Sequence, residues 1–194
     1  MKFRNRNPIA LGTSADYGRL LMFGLFFLLP MVSMSIDVDH PNNISTSEAL
    51  RKNGRILKDK SIFVFPELRE NPIKWNDSIP QGKIKNYSIE KPFLLAAQPN
   101  EYYVYQLGVW ALNKDVEDIK IQFSDFKDNS GATISLTKMT CFNKEGIDFK
   151  GESFLKNVNV SAGKVQALWV GIDLEGIEKG SYTGSVSVTV GNEK

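Results

Sequence analysis

Apolar and polar residues alternate with a period of two along much of the second half of the chain. In "YYVYQLGVWA" every odd-numbered residue is aromatic or aliphatic, and the alternation returns in three later segments. A period of two puts alternate side chains on opposite faces of a strand, so each segment predicts a β-strand with one buried face. The predicted core-facing sets are Tyr103, Tyr105, Leu107, Val109 and Ala111; Ile119, Ile121 and Phe123; Leu168, Val170 and Ile172; and Val186, Val188 and Val190.

Turn-forming sequences separate these segments. Examples are "QPN" at 98–100, "DNSG" at 128–131 and "NKEG" at 143–146. Roughly seven or eight short strands with such turns, and no helix of amphipathic length among them, indicate an all-β fold. We therefore expect residues 85–194 to form an antiparallel β-sandwich of the immunoglobulin-like or jelly-roll-like kind.

Residues 36–84 differ in composition from the strands that follow. They are rich in Asn, Ser, Lys, Arg and Pro, with one helix-like patch at Thr46–Lys58 and one β-like run at Ser61–Phe65. Ser47 is a potential N-cap for the helix. The composition predicts an irregular, loosely packed leader or linker with at most a short helix and a short strand.

The beginning of the chain has the pattern of an export signal. An apolar run, Leu20–Val32, follows a net positive segment and precedes the small residues Ser33 and Ser35. A membrane-spanning helix needs roughly 20 apolar residues, and this run is shorter and contains Pro30. The pattern predicts a signal peptide at residues 1–35, cleaved near Ser35, and a secreted, periplasmic or cell-surface protein without a stable membrane span. An uncleaved membrane anchor is the alternative.

Charge and composition exclude several classes of function. Four of the 24 basic and one of the 22 acidic residues precede Ile36, so 20 basic and 21 acidic residues remain and no nucleic-acid surface is expected. One cysteine, Cys141, and one histidine, His40, predict neither a disulfide, nor a metal site, nor a Cys-His nucleophile. Cys141 is expected to be a buried, inert thiol. Nucleotide-binding, serine-hydrolase and zinc-protease motifs are absent from the sequence, so no cofactor is expected.

Clustered carboxylates are the remaining candidates for catalysis. An acid-base pair needs one carboxyl in an apolar pocket that raises its pKa, and nothing in the spacing supplies one. The clusters lie at turn signals, where acidic residues form turns and improve solubility. They are Asp115, Glu117 and Asp118; Asp125 and Asp128; and Glu145 and Asp148.

The most informative residues are those between the core-facing ones. Tyr102, Val104, Gln106 and Trp110 are predicted to point outward from one strand, and Trp169 to point outward from another. Large aromatic residues on a non-core face mark packing under another part of the chain, a domain interface, or a platform on which a sugar ring stacks. Tyr102, Trp110 and Trp169 are therefore the candidate binding residues, and the three alternatives stay open.

Several segments also carry a family resemblance. "QLGVWA" at 106–111, "TCFN" at 140–143 and "AGKVQALWVGID" at 162–173 are its most specific parts, within a match that runs from about Lys74 to Val190. This region resembles the N-terminal β-sandwich domain of the glycoside hydrolase family 123 type enzymes of Bacteroidetes. None of these segments is a catalytic motif.

The resemblance implies a module rather than an activity. In that family a (β/α)₈ barrel follows the sandwich and removes β-linked N-acetylgalactosamine with an adjacent Asp-Glu pair, the substrate's acetamido group acting as nucleophile. A barrel of about 250 residues does not fit between Val190 and Lys194. The resemblance therefore predicts a non-enzymatic chain.

Four hypotheses follow for the function. The first is a secreted, non-catalytic β-sandwich module that packs against a glycoside hydrolase catalytic domain or another partner, as a truncated enzyme or a stand-alone accessory protein. The second is a stand-alone glycan-binding protein that uses its surface aromatics. The third is an enzyme with an unrecognised site in the sandwich, and the fourth is a fragment of a longer gene.

Overall fold

The computed structural model describes residues 2–5, 43–57, 60–74, 76–80, 82–85 and 92–190. Strands predominate among these residues, with one long and one short α-helix and a single 3₁₀ turn, Leu136–Lys138. The helices are α1 (Thr46–Leu57) and α2 (Gly82–Lys85). The strands are β1 (Lys2–Asn5), β2 (Asn43–Ser45), β3 (Ile62–Leu68), β4 (Ser78–Pro80), β5 (Leu94–Ala97), β6 (Tyr102–Ala111), β7 (Lys120–Phe123), β8 (Phe126–Lys127), β9 (Thr133–Ile134), β10 (Met139–Cys141), β11 (Glu145–Ile147), β12 (Ser153–Leu155), β13 (Val165–Asp173), β14 (Ser181–Thr183) and β15 (Val186–Thr189).

Two sheets form the sandwich. Sheet A has the order β5-β1-β14-β8-β9, and sheet B has the order β10-β13-β6-β3. Three two-stranded pairs, β11-β12, β15-β7 and β2-β4, accompany them. All pairings are antiparallel except that of β1 with β5. The all-β sandwich predicted from the alternation is confirmed.

The first core lies between the two sheets. The predicted inward set of β6, from Tyr103 to Ala111, is buried there, as are the inward residues of β13. Sheet A contributes Leu95, Phe126 and Tyr182 from the other side. Cys141 is also buried in this core, as predicted, and burial raises the pKa of its thiol.

A second core lies on the opposite face of sheet B. Trp110 is fully buried there, with its ring edge-on to Phe63 at a centroid separation of 6.3 Å. Helix α1 contributes Ala49 and Leu57, and Ile79 and Ile84 come from the segment that follows β3. The outward direction predicted for Trp110 is correct, but the face is covered by the chain itself.

The described residues between 43 and 85 are therefore part of the packed unit, and the loose packing expected for residues 36–84 is wrong for them. Strand β3 pairs with β6 along its whole length, from Ile62 opposite Ala111 to Leu68 opposite Tyr105. The predicted helix, α1, and the predicted strand, β3, are both present. Both bury residues, which a loosely packed linker would not do. The physical reason is the apolar face of β3, whose Phe63 and Phe65 need cover on the side away from the first core.

Helix α1 begins with a serine cap. The hydroxyl of Ser45 accepts a hydrogen bond from the backbone N–H of Glu48 at 3.2 Å, which satisfies one of the free donors of the first turn. Ser45, not Ser47, therefore takes the capping role. Glu48 and Lys52 form an ion pair one turn apart at 2.6 Å.

A buried polar contact ties the segment after β3 to the middle of sheet B. Gln106 lies on the outer face of sheet B, as predicted, but it is fully buried there under the segment after β3. Its side chain accepts a hydrogen bond from Ile73 N–H at 2.9 Å and donates one to Leu68 C=O at 3.0 Å. Beside it, Glu67 forms an ion pair with Lys83 at 2.9 Å. A buried amide needs such partners, so the loop and the glutamine stabilise each other.

Acidic residues at the turn signals organise the backbone. The carboxylate of Asp128 accepts hydrogen bonds from the hydroxyl and N–H of Ser130 and from Ala132 N–H. The Ser130 hydrogen bond is the main cause that lowers the pKa of Asp128. Asp148 likewise accepts from Lys150 N–H and Glu152 N–H at 2.8 and 2.9 Å. These carboxylates have the turn-forming role that their sequence context predicts.

The predicted signal peptide lies almost wholly outside the described residues, of which only Lys2–Asn5 belongs to it. These four residues form β1, between β5 and β14. His40 also lies outside the described part. Within that part, none of the helices is both long and apolar enough to cross a bilayer.

Replacing Gly108 by alanine is expected to destabilise the protein. A Cβ at this position would collide with the ring of Phe65, which approaches the glycine closely. Overpacking of a core commonly costs about 1–3 kcal/mol. Chemical denaturation should therefore show that the free energy of unfolding of Gly108→Ala is lower than that of the wild-type protein by an amount in this range.

Gly54→Ala is the matched control, because no atom lies within 4 Å of the Cβ it would add. In helix α1, alanine should leave stability unchanged or raise it by up to about 1 kcal/mol. An equal loss of stability in both variants would contradict the packing described for Gly108.

Candidate functional site: the open aromatic end of sheet B

The outer face of sheet B is covered at one end and open at the other. In the register of β6 with β13, Trp110 pairs with Val165 at the covered end, and Tyr102 pairs with Asp173 at the open end. Because directly opposed residues of paired strands share a face, all of these belong to the outer side of the sheet. We call the open end the aromatic face; its members are Tyr102, Val104, Phe142, Trp169 and Gly171.

Two exposed rings form the centre of the aromatic face. Tyr102 is 46% exposed and Phe142 is 42% exposed. Their ring centroids are 6.0 Å apart and the ring planes are tilted by 39°. This separation is typical of aromatic pairs that pack on each other.

Gly171 makes room for these rings. A Cβ built on this residue would lie 2.6 Å from the hydroxyl oxygen of Tyr102 and 2.8 Å from the ring of Phe142. The two rings therefore lie across the backbone of β13 where a side chain is missing. A glycine in a central strand weakens the strand and often marks a close approach of another group.

The backbone around Trp169 holds Phe142 in position. Phe142 N–H donates to Trp169 C=O at 3.0 Å, and Trp169 N–H donates to the side-chain oxygen of Asn143 at 2.6 Å. The turn after β10 is thus fastened to β13 on both sides of Phe142. Trp169 itself is partly buried.

The three residues proposed from the sequence occupy two different environments. Tyr102 and Trp169 lie on the aromatic face, whereas Trp110 lies in the second core. Trp169 is opposite Gln106, four residues from Trp110 along β6, which is about 13 Å in an extended strand. The two tryptophans therefore share a side of the sheet without forming one platform.

Sequence reasoning missed Phe142. Met139 and Cys141 in β10 face the first core, so the alternation sends Thr140 and Phe142 outward. The signal was present in "MTCF" but is only four residues long. A strand this short cannot be assigned by alternation alone.

An exposed hairpin continues the apolar surface. Strands β11 and β12 form this apolar hairpin, residues 145–155, with Phe149 at its turn 94% exposed and Leu155 82% exposed. Of the nine large apolar side chains exposed in the described residues, six lie between Leu136 and Leu155. Such concentration indicates a patch, whereas scattered exposed apolar residues are ordinary.

A groove of about 760 Å³ separates the hairpin from the edge of sheet B. It borders on the aromatic face, because Thr140, which lines it, pairs with Gly171. Its apolar lining comes from both sides. The apolar lining residues are Phe123, Leu136, Met139, Ile147, Phe154 and Leu155.

The side chains of this region are largely apolar or carry hydroxyl groups. Glu145 is the one carboxylate that lines the groove in the described part of the chain. In the same part, no three His, Cys, Asp or Glu side chains are grouped as a metal site would require. The aromatic face and the groove instead offer apolar area and ring faces, with threonine and serine hydroxyls between them.

Comparison with known proteins gives a coarse structural likeness. No protein-family model and no curated relative matches the chain. Among solved structures it is similar to a family 123 glycoside hydrolase from Clostridium perfringens, described in a study of glycolipid glycan hydrolysis. The TM-score is 0.40 at 19% sequence identity, and the match covers 50% of this chain and 19% of that enzyme. The matched part is about a fifth of that enzyme's length.

Trp169 should be accessible to an aqueous quencher, and Trp110 should not. We expect iodide to quench the fluorescence of Trp75→Phe/Trp110→Phe, in which Trp169 is the remaining tryptophan, several-fold more than that of Trp75→Phe/Trp169→Phe. The physical reason is that Trp110 is fully buried. Equal quenching of the two variants would contradict the burial of Trp110 among Ala49, Leu57, Ile79 and Ile84.

Proposed function

We propose that this protein is a secreted, non-catalytic β-sandwich module of a carbohydrate-active system, and that it packs its aromatic face against the catalytic domain of a glycoside hydrolase. Export rests on the apolar run at Leu20–Val32 and the small residues after it. The type of system rests on the resemblance of the segments around "QLGVWA" and "AGKVQALWVGID".

The observation that carries the proposal is that both ends of one sheet face are built alike. At the covered end, the ring of Phe65 lies on Gly108 and is buried by the chain's own residues. At the open end, the rings of Tyr102 and Phe142 lie on Gly171 and stay exposed. A surface built like the inside of an interface, with nothing from the described chain over it, suits a second protein domain.

The adjoining apolar hairpin supports a partner larger than a sugar. Phe149 and Leu155 of the hairpin are exposed, and six of the eleven residues that line the groove are aliphatic or aromatic. Interfaces between proteins combine a buried aromatic centre with an apolar surround and a polar rim. The aromatic face supplies the centre, and the groove and hairpin supply the surround.

A stand-alone glycan-binding protein is the second candidate, since exposed rings also suit sugars. Tyr102 and Trp169 remain available for it. The tilt of 39° between Tyr102 and Phe142 gives no common plane for a sugar ring to cover, and Trp110 is buried. These two facts favour the domain interface.

A non-catalytic role agrees with how the carboxylates are used. Asp128 and Asp148 accept backbone hydrogen bonds in turns, and Asp115 and Asp125 do the same for Ala162 N–H and Leu136 N–H at 2.8 Å. Carboxylates held in this way stabilise loops. The proposal therefore assigns no catalytic residue.

Self-association of the purified chain tests the interface. With its partner absent, the chain should form oligomers as concentration rises, and Tyr102→Ser/Phe142→Ser should shift it towards monomer by roughly tenfold or more in dissociation constant, since two exposed aromatic anchors are removed. Sedimentation velocity over a concentration series measures this. Ile56→Ser is the matched control, because Ile56 is 55% exposed on α1, away from the patch, and should not change association.

Titration with N-acetylgalactosamine separates the two candidates. The interface predicts no saturable change in the fluorescence of Trp169 at millimolar sugar. A monomeric chain with a saturable change, lost in Tyr102→Ser, would overturn the interface in favour of glycan binding.

A further inference from the structure

Sheet A contains a gap that one short segment closes. Strands β5 and β14 do not pair with each other; each pairs with β1. Lys2–Asn5 runs parallel to Leu94–Ala97 and antiparallel to Ser181–Thr183. Without this segment the two strands would stand two strand spacings apart, about 9.6 Å, with a row of unpaired backbone groups on each side.

The gap lies over the first core. Leu95 and Ala97 of β5 and Tyr182 of β14 are all buried. The hydroxyl of Tyr182 donates to Glu178 C=O at 3.0 Å, which holds β14 in place beside the gap. Buried backbone N–H and C=O groups need partners, and an opening here would also admit water to the core. A strand in this position is therefore a structural requirement of sheet A.

The sequence of the segment matches its neighbours in register. Position 3 of the chain is level with Leu95 and Tyr182, both buried, and positions 2 and 4 are level with the exposed Thr183 and Ser181. The sequence Lys2-Phe3-Arg4 has the same order of polar, apolar and polar residues. One apolar residue between two polar ones is the pattern that this position in the sheet requires.

We propose that the gap between β5 and β14 is a binding site for an extended peptide strand. Lys2–Asn5 occupies the site in the uncut chain. Cleavage near Ser35 opens the site to a strand of the same polar-apolar-polar pattern from another molecule. Binding then occurs by strand addition, with backbone hydrogen bonds on both sides of the peptide. The inference rests on the export and cleavage near Ser35 that the proposed function includes, but not on the aromatic face, because this site lies on sheet A and the aromatic face lies on sheet B.

Hydrogen exchange of the full chain tests the occupant. Phe3→Pro removes a backbone donor from β1, and Phe3→Val keeps the donor and suits a strand. We expect amide exchange in Leu94–Ala97 and Ser181–Thr183 to become at least tenfold faster in Phe3→Pro and to change little in Phe3→Val. Exchange in Val165–Asp173 of sheet B should stay slow in both. Unchanged exchange of β5 and β14 in Phe3→Pro would overturn the proposal.

A cross-link tests the same placement without any substitution, should Phe3→Pro fail to fold. Lys2 and Lys127 both pair with Thr183, from its two sides, so their Cα atoms are about 9.6 Å apart. A short amine-reactive reagent should join these lysines in the full chain. Absence of this product, with other lysine pairs joined, would overturn the proposal.

Binding from another molecule is tested by cutting the folded chain. A specific protease site introduced between Ser35 and Asp37 allows the purified full chain to be cut and the N-terminal piece to be removed. A labelled peptide of residues 1–9 should then bind saturably to the cut chain, seen by fluorescence anisotropy, and at least tenfold more weakly to the uncut one. The same peptide with Phe3→Pro is the control and should not bind. Equal binding to cut and uncut chains, or no binding to the cut chain, would overturn the proposal.

Discussion

The structure depends on the long antiparallel pairing of β6 with β13. Nine residues of each strand are in register, from Tyr102 opposite Asp173 to Trp110 opposite Val165. This pair forms the centre of sheet B, and both of its faces are used. One face closes the first core against sheet A, and the other carries the second core and the aromatic face. A shift of one residue in this register would exchange the two faces and lose all three features.

Two glycines on the outer side of this pair explain how aromatic rings lie on the sheet. Gly108 in β6 accommodates Phe65, and Gly171 in β13 accommodates Tyr102 and Phe142. Without a Cβ at these positions, each ring can approach the backbone closely. The difference between the two places is only what lies above them. The chain covers Phe65 itself and leaves Tyr102 and Phe142 open, which is why we assign the open end to a partner.

In our two proposals, the two sheets bind other molecules through different groups. Sheet B presents side chains, since its open surface consists of rings and the apolar hairpin beside them. In the site that we propose on sheet A, recognition is by backbone, through the main-chain pairing that β1 makes with β5 and β14. Side-chain surfaces select a partner by shape and apolar area, whereas a strand site selects an extended conformation and a pattern of alternation. The two proposals together would join the chain to other molecules at two separate places, one on each sheet.

The sequence by itself determined which side of each long strand is buried, because alternation is a local property that survives without knowledge of neighbours. Tyr103 to Ala111 and Leu168 to Ile172 were correctly assigned to the core on that ground. The helix near Thr46 and the strand near Ile62 could be predicted too, although the choice between Ser45 and Ser47 as cap required the actual hydrogen bond.

Only the tertiary structure decided which of the outward residues are buried and which are exposed. Tyr102 and Trp110 follow the same alternation on the same strand, yet one is exposed and the other buried. The cover over Trp110 comes from residues as distant in sequence as Ala49 and Leu57, and no pattern within β6 records a contact made by a segment folded back from so far away.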